Sequence, residues 1–298
     1  MTAKPARLIA WLCFVLTLVF IPLSVWMLTR ALRTPLTTQD VWTIAGSFAG
    51  AVAFSAVGAL ILGRHPRHAI GWIFAFSGLA TSFALVCVGY GELADSGWPL
   101  PAGDFVSRVA YVLLQSGVFL PLTLGLLLCP EGRLISRRWW PAAVAAVLGL
   151  TLRLVADTID PTGKNPVTDG IDTAGVLITV ASAGAGLAAL TVRWRSASSI
   201  LRRELKWMTA AATLVVLVFV ADIAANLLNS QLIKPFEFLV FITAYTVIPF
   251  AAGASILRYG LYEIDFIINR AIVYIAMTAI LPVSTPASPR RCKRSSSP

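Results

Sequence analysis

The sequence predicts an all-α, polytopic integral membrane bundle of about eight transmembrane helices, with both termini cytoplasmic. Three observations predict it. Of 298 residues, 57% are hydrophobic and only 13% are charged, whereas soluble domains carry roughly a quarter charged residues. Mean hydropathy is +0.80. Apolar windows recur along the chain, each near the ~20 residues that cross a ~30 Å hydrocarbon layer as a helix. A soluble fold of this composition would lack the polar surface to cover its core, but lipid tails solvate apolar faces directly.

The first window, 8–28, follows Lys4 and Arg7. At about 21 residues, without a small-residue cleavage site, it reads as a retained span rather than a signal peptide. The second, 44–62, carries the pair Gly46 and Gly50 beside Ala45, Ala49 and Ala53. Such small-residue faces let helix backbones approach closely, within the bundle or between copies. Windows three and four cover 70–90 and 109–128. The fifth, 139–156, is the shortest and carries Arg153 near one end, where a long side chain can snorkel to the interface. The sixth, 174–192, contains the small run from Ala181 to Gly186. The seventh and eighth are 207–228 and 238–257. Residues 1–257 therefore read as the membrane bundle, and 258–281 as a juxtamembrane amphipathic linker. Its apolar stretch 271–281 is too short to span. Residues 282–298 have the Pro/Ser/Arg bias of a disordered tail.

Charge sets the orientation. Net charge is +10. With the N-terminus inside, the cytoplasmic segments hold Lys4, Arg7, Arg64, Arg67, Arg133, Arg137, Arg138, Arg193, Arg195, Arg202, Arg203 and Lys206. Six more follow the last window, from Arg258 to Arg294. The external segments hold only Arg30, Arg33, Arg108, Lys164 and Lys234. A positive excess marks the cytoplasmic side. The two longest external loops are expected at 91–108 and 157–173, too short for a folded ligand-binding domain. The basic charge thus reads as topology, and no basic face points to nucleic acid.

Few residues are candidates for chemistry. Asp222 and Asn226 are four apart and share a helix face. With Arg153 they form the candidate intramembrane polar site, because a carboxylate within a span commonly faces a bundle interior or a cavity. An interfacial position for Asp222 is the plainer reading. His65 and His68 fall in the short loop after the second window. Histidine is a metal ligand and a pH switch, but no thiol or carboxylate is close in sequence, and a solvated orienting loop is the simpler reading. Cys13, Cys87, Cys129 and Cys292 form no paired motif. No phosphate loop, metalloprotease motif or nucleophile elbow occurs. No catalytic residue, cofactor or metal is expected.

Four segments match motifs that occur together in one known family. RHPRHAIGW at 64–72 resembles an RxPxxxIGW segment, through Arg64, Pro66, Gly71 and Trp72. CPEGRLISRR at 129–138 resembles an FPDGRLPSRRW loop, through Pro130, Gly132 and Arg133. RELKW at 203–207 resembles an RxQLKW entrance, through Lys206 and Trp207. ILRYGLYEIDFIINR at 256–270 resembles ILRYRLYDIDRLINR, through Arg258, Tyr259, Tyr262, Asp265, Asn269 and Arg270. Together, in this order, they resemble the membrane region of actinobacterial-type sensor histidine kinases, over roughly residues 8–278.

The resemblance implies a sensory input module of the plasma membrane, part of a two-component system. Its partners would be the lipid bilayer and either a second copy or a separate signalling protein. The dimerising helix and ATP-binding domain of that family are not found after Ile280, so no kinase activity of its own is expected. A frameshift or early stop is one reading of that end, and a native short tail is the other. Leu261, Ile264, Ile267 and Ile268 recur at helical spacing, as a transmission helix or as a helix lying on the lipid surface. Two other functional classes stand beside this one. A small transporter or channel would use Asp222, Asn226 and Arg153. A membrane scaffold would act through its small-residue faces.

Overall fold

A computed structural model describes residues 3–31, 38–160, 165–196, 209–214, 216–217, 220–221 and 245–253. The described residues are helical, with no strand among them. Six helices are long and apolar enough to cross a membrane. They are α1 (Ala3–Ala31), α2 (Thr38–Arg64), α3 (Ala69–Asp95), α4 (Gly103–Leu120), α5 (Trp140–Ile159) and α6 (Pro166–Ser196). The α4 path continues through a π-helical turn at Pro121–Gly125 and a last turn at Leu126–Leu128. These six coincide with the first six apolar windows. The seventh and eighth windows lie largely outside the described residues, which are helical at 209–214 and 245–253. Residues 258–298 lie outside them altogether.

The helices run further than hydropathy suggests. Only 96–102 separates α3 from α4, and only 160–165 separates α5 from α6. The expected loops 91–108 and 157–173 are therefore mostly helix. Once the backbone leaves the hydrocarbon its polar ends can be satisfied by polar side chains, so a helix stops at its caps rather than at the bilayer edge. Ser96 Oγ donates to Leu93 O at 2.7 Å where α3 ends. Asp160 Oδ2 accepts from the Asn165 amide at 2.7 Å just before α6. Tyr90 donates to Pro101 O at 2.9 Å and draws the α3–α4 connection inward.

Helix α3 is the centre of the bundle. It packs on α1, α2 and α4, while α5 and α6 form a second pair against the end of the α4 path. In α3's most apolar stretch 67% of residues are buried, against 17% in α1 and in α5. The exposed faces of α1 and α5 are apolar, including Leu8, Leu12, Val15, Val147 and Leu148. Apolar exposure of that kind suits lipid rather than water.

Small residues set the interhelical distances. A Cβ on Gly58 would lie 2.5 Å from Ala75 N, and one on Gly78 would lie 2.5 Å from Ala51 O. The α2 and α3 backbones therefore touch, with no side chain between them. Gly50, one of the sequence's paired glycines, faces the Tyr245 ring, whose carbon would stand 2.4 Å from an added Cβ. That part of the α2 small-residue face is used inside the chain. On α5 and α6, Gly149 and Gly175 oppose each other in the same way. Close contact of this kind drives helix association in lipid, where apolar burial gives no advantage.

Candidate functional site

The segments 64–72 and 129–138, about 60 residues apart, meet at one end of the bundle. Several of the resemblance residues there have a local physical task. Trp72 Nε1 donates to Pro66 O at 3.1 Å, closing the turn between α2 and α3. Gly71 lets α2 approach, since a Cβ there would lie 2.8 Å from Leu62 Cγ. Gly132 has φ +73° and its amide donates to Leu128 O at 2.8 Å. That left-handed residue ends the helical path and turns the chain back, a conformation that costs glycine least.

The two loops touch through His68 and Gly132. His68 Cε1 stands 3.2 Å from the position of a Gly132 Cβ. His68 Nδ1 is buried. Burial pushes the His68 pKa below its ordinary 6.5, His65 adds to that, and the Pro130 backbone opposes both. The rings of His65 and His68 are 6.4 Å apart. His68 is thus not the solvated loop residue the sequence suggests. Nothing in its neighbours along the chain signals that Gly132 covers it.

A third segment fixes this end. Arg193, in the last turn of α6, is 8% exposed. Its guanidinium donates to the backbone carbonyls of Cys129 and Arg133. The planar fork presents two fixed N–H donors to the two acceptors, a rigid geometry that the rotatable ammonium of a lysine lacks. In the sequence Arg193 counts only as one more cytoplasmic charge, so its buried role was not legible there. Cys129 is 2% exposed, and burial pushes its thiol pKa up to about 12. Arg7 adds an outer tie, donating to Gly63 O through Nε at 3.1 Å and Nη2 at 2.5 Å. This motif end therefore joins α1, α2, α3, the 129–136 loop and α6.

The opposite end holds Arg153. Its Nε lies 3.2 Å from Asp172 Oδ1, and its Cζ stands 4.8 Å from the Phe119 ring centroid. The described partner of Arg153 is thus Asp172 on α6. Asp222 and Asn226 lie outside the described residues. A half-open cavity of about 500 Å³ is nearby, lined by Asp95, Asp104, Ser107, Arg108, Tyr111, Val112, Asp157 and Thr158. Among the described residues no group of three or more His, Cys, Asp or Glu is arranged to hold a metal ion. Lys206, Trp207, Arg258, Tyr259, Tyr262, Asp265, Asn269 and Arg270 also lie outside the described residues.

Comparison with known proteins gives no matching family model, no matching curated protein and no matching solved structure.

Proposed function

We propose that this chain is a polytopic sensory input module of the plasma membrane. On this reading it has eight spans, both termini are cytoplasmic, and the motif end faces the cytoplasm. The observation that carries it is the convergence of 64–72 and 129–138 on one end of the bundle, where Arg193 ties α6 to both Cys129 and Arg133. Loops that only joined spans would have no need of a buried charged clamp, since burying a guanidinium is costly unless it is bonded. A rigid end joined to several helices can pass a change in bundle packing to the segment that follows the last span. Kinase chemistry is assigned to residues or chains outside these 298, and this chain acts by packing.

The test is a chimera. Residues 1–270 are fused in frame to the dimerising and ATP-binding domains of a histidine kinase, inserted in liposomes, and assayed for autophosphorylation. Arg193→Gln is expected to change the rate at least threefold with membrane insertion unchanged. An unaltered rate sinks the signalling reading. So does saturable proton or solute flux through the intact chain that Asp222→Asn abolishes, which would make it a transporter.

A further inference from the structure

The start of α5 has the outline of a lipid. Along one side of this helix Trp140, Val144, Val147, Leu148 and Val155 recur at the three- and four-residue spacing of a single face. Each is 40–63% exposed, and acyl chains solvate such a stripe. Trp140 is its last member toward the motif end, and an indole in that position favours the headgroup level. Immediately before it, a 3₁₀ turn at Arg137–Trp139 carries Arg137 and Arg138, both exposed. Residues three apart eclipse in a 3₁₀ turn, so Arg137 lies above Trp140, about 6 Å further out at ~2 Å per residue. Apolar stripe, indole and guanidinium thus follow one another in the order of acyl chain, glycerol and phosphate.

We propose that this corner of α5 is a binding site for an anionic phospholipid, whose acyl chains lie along Val144, Val147 and Leu148 and whose phosphate is held by Arg137 and Arg138. The charge of the motif end selects the headgroup. Arg64, Arg67 and Arg133 are also exposed on the two loops that meet here, and the one carboxylate on 64–72 and 129–140 is Glu131. None of these five arginines makes an ion pair among the described residues, so their charge is not neutralised there. A guanidinium fork matches two phosphate oxygens. Phosphatidylcholine offers the same phosphate joined to a trimethylammonium, which a positive end repels. Phosphatidylglycerol offers the phosphate without that cation. Each basic residue near an anionic lipid surface strengthens attachment about fivefold. The site rests on this corner and stands whether or not the bundle signals.

The full chain is purified in detergent and given equal amounts of phosphatidylglycerol and phosphatidylcholine with the same acyl chains. The lipids it retains are counted by native mass spectrometry. Phosphatidylglycerol is expected to be retained about fivefold more often than phosphatidylcholine. Arg137→Gln combined with Arg138→Gln is expected to lower that preference at least threefold. Arg64→Gln combined with Arg67→Gln removes the same charge from the neighbouring turn and is expected to lower it less than half as far. Should the first pair fail to fold, Arg137→Gln alone decides, and it must lower the preference by more than Arg67→Gln does. Equal retention of the two lipids by the parent chain overturns the proposal. So does an equal loss in the two double variants, which would mean diffuse attraction to a basic end. Displacement of the lipid by millimolar inorganic phosphate also overturns it, since that would mean an anion site without contacts to the chains.

Discussion

Arg153 Nε on α5 lies 3.2 Å from Asp172 Oδ1 on α6, with side-chain exposures of 13% and 35%. This pair joins the two helices near one end, and the Arg153 guanidinium also stacks over Phe119 of α4. A pair with one partner this exposed is screened by solvent, so its coupling energy is about 0.5–1 kcal/mol. A double-mutant cycle of Arg153→Met and Asp172→Asn, read by unfolding in detergent, is expected to return that value. High salt should shrink it. Arg153→Met alone is expected to cost more than Asp172→Asn, because it also removes the stack on Phe119. Zero coupling at low salt would contradict the pairing.

Two glycines of the α5–α6 pair should answer substitution in opposite ways. A Cβ on Gly149 would lie 2.7 Å from Thr179 Oγ1, 2.9 Å from Thr179 N and 3.0 Å from Gly175 O. Two of those atoms are backbone and cannot step aside, so Gly149→Ala should cost roughly 1–3 kcal/mol. A Cβ on Gly184 meets nothing within 4 Å. Gly184→Ala should be neutral or stabilising by up to about 1 kcal/mol, since alanine loses less entropy in a helix. Thermal unfolding of both variants in one detergent checks the contrast.

The Arg193 clamp is expected to be sensitive to shape as well as charge. Arg193→Gln leaves both the Cys129 and the Arg133 carbonyl without a charged donor. Hydrogen bonds to a charged group contribute about 1.5–3 kcal/mol. Arg193→Lys keeps the charge but not the fork, and should recover less than half of the loss. Chemical unfolding measures both, and full rescue by lysine would show that charge alone matters there.

Orientation is open to direct labelling. In a background without native cysteines, a cysteine at exposed Trp98 is expected to react with a membrane-impermeant thiol reagent on intact cells. One at Arg67 is expected to react only after the membrane is opened. The reverse pattern would invert the topology drawn from the positive-residue excess.

Much of the fold was legible in order of residues, because a span needs only length and hydropathy. All six described helices fall on the apolar windows, and only their ends were misjudged. The ends depend on caps such as Ser96 and Asp160, which a hydropathy window does not register. The candidate site was legible in part. Arg64, Pro66, Gly71, Trp72, Pro130, Gly132 and Arg133 were singled out as motif residues, but their meeting was not. His68 read as a solvated loop residue and Arg193 as a topology charge. Neither carries a local mark of burial, since the atoms that bury them belong to segments about 60 residues distant.

The sequence by itself determined that this chain is helical and apolar enough to cross a membrane, because bilayer thickness acts on each segment separately. Tertiary structure alone decided which helix lies at the centre, which glycines are crowded, that Arg153 meets Asp172, and that His68 is closed in by Gly132. Those are pairwise contacts between segments far apart in the chain. They follow from how closely backbones can approach once every helix has been placed, and no single segment encodes that distance.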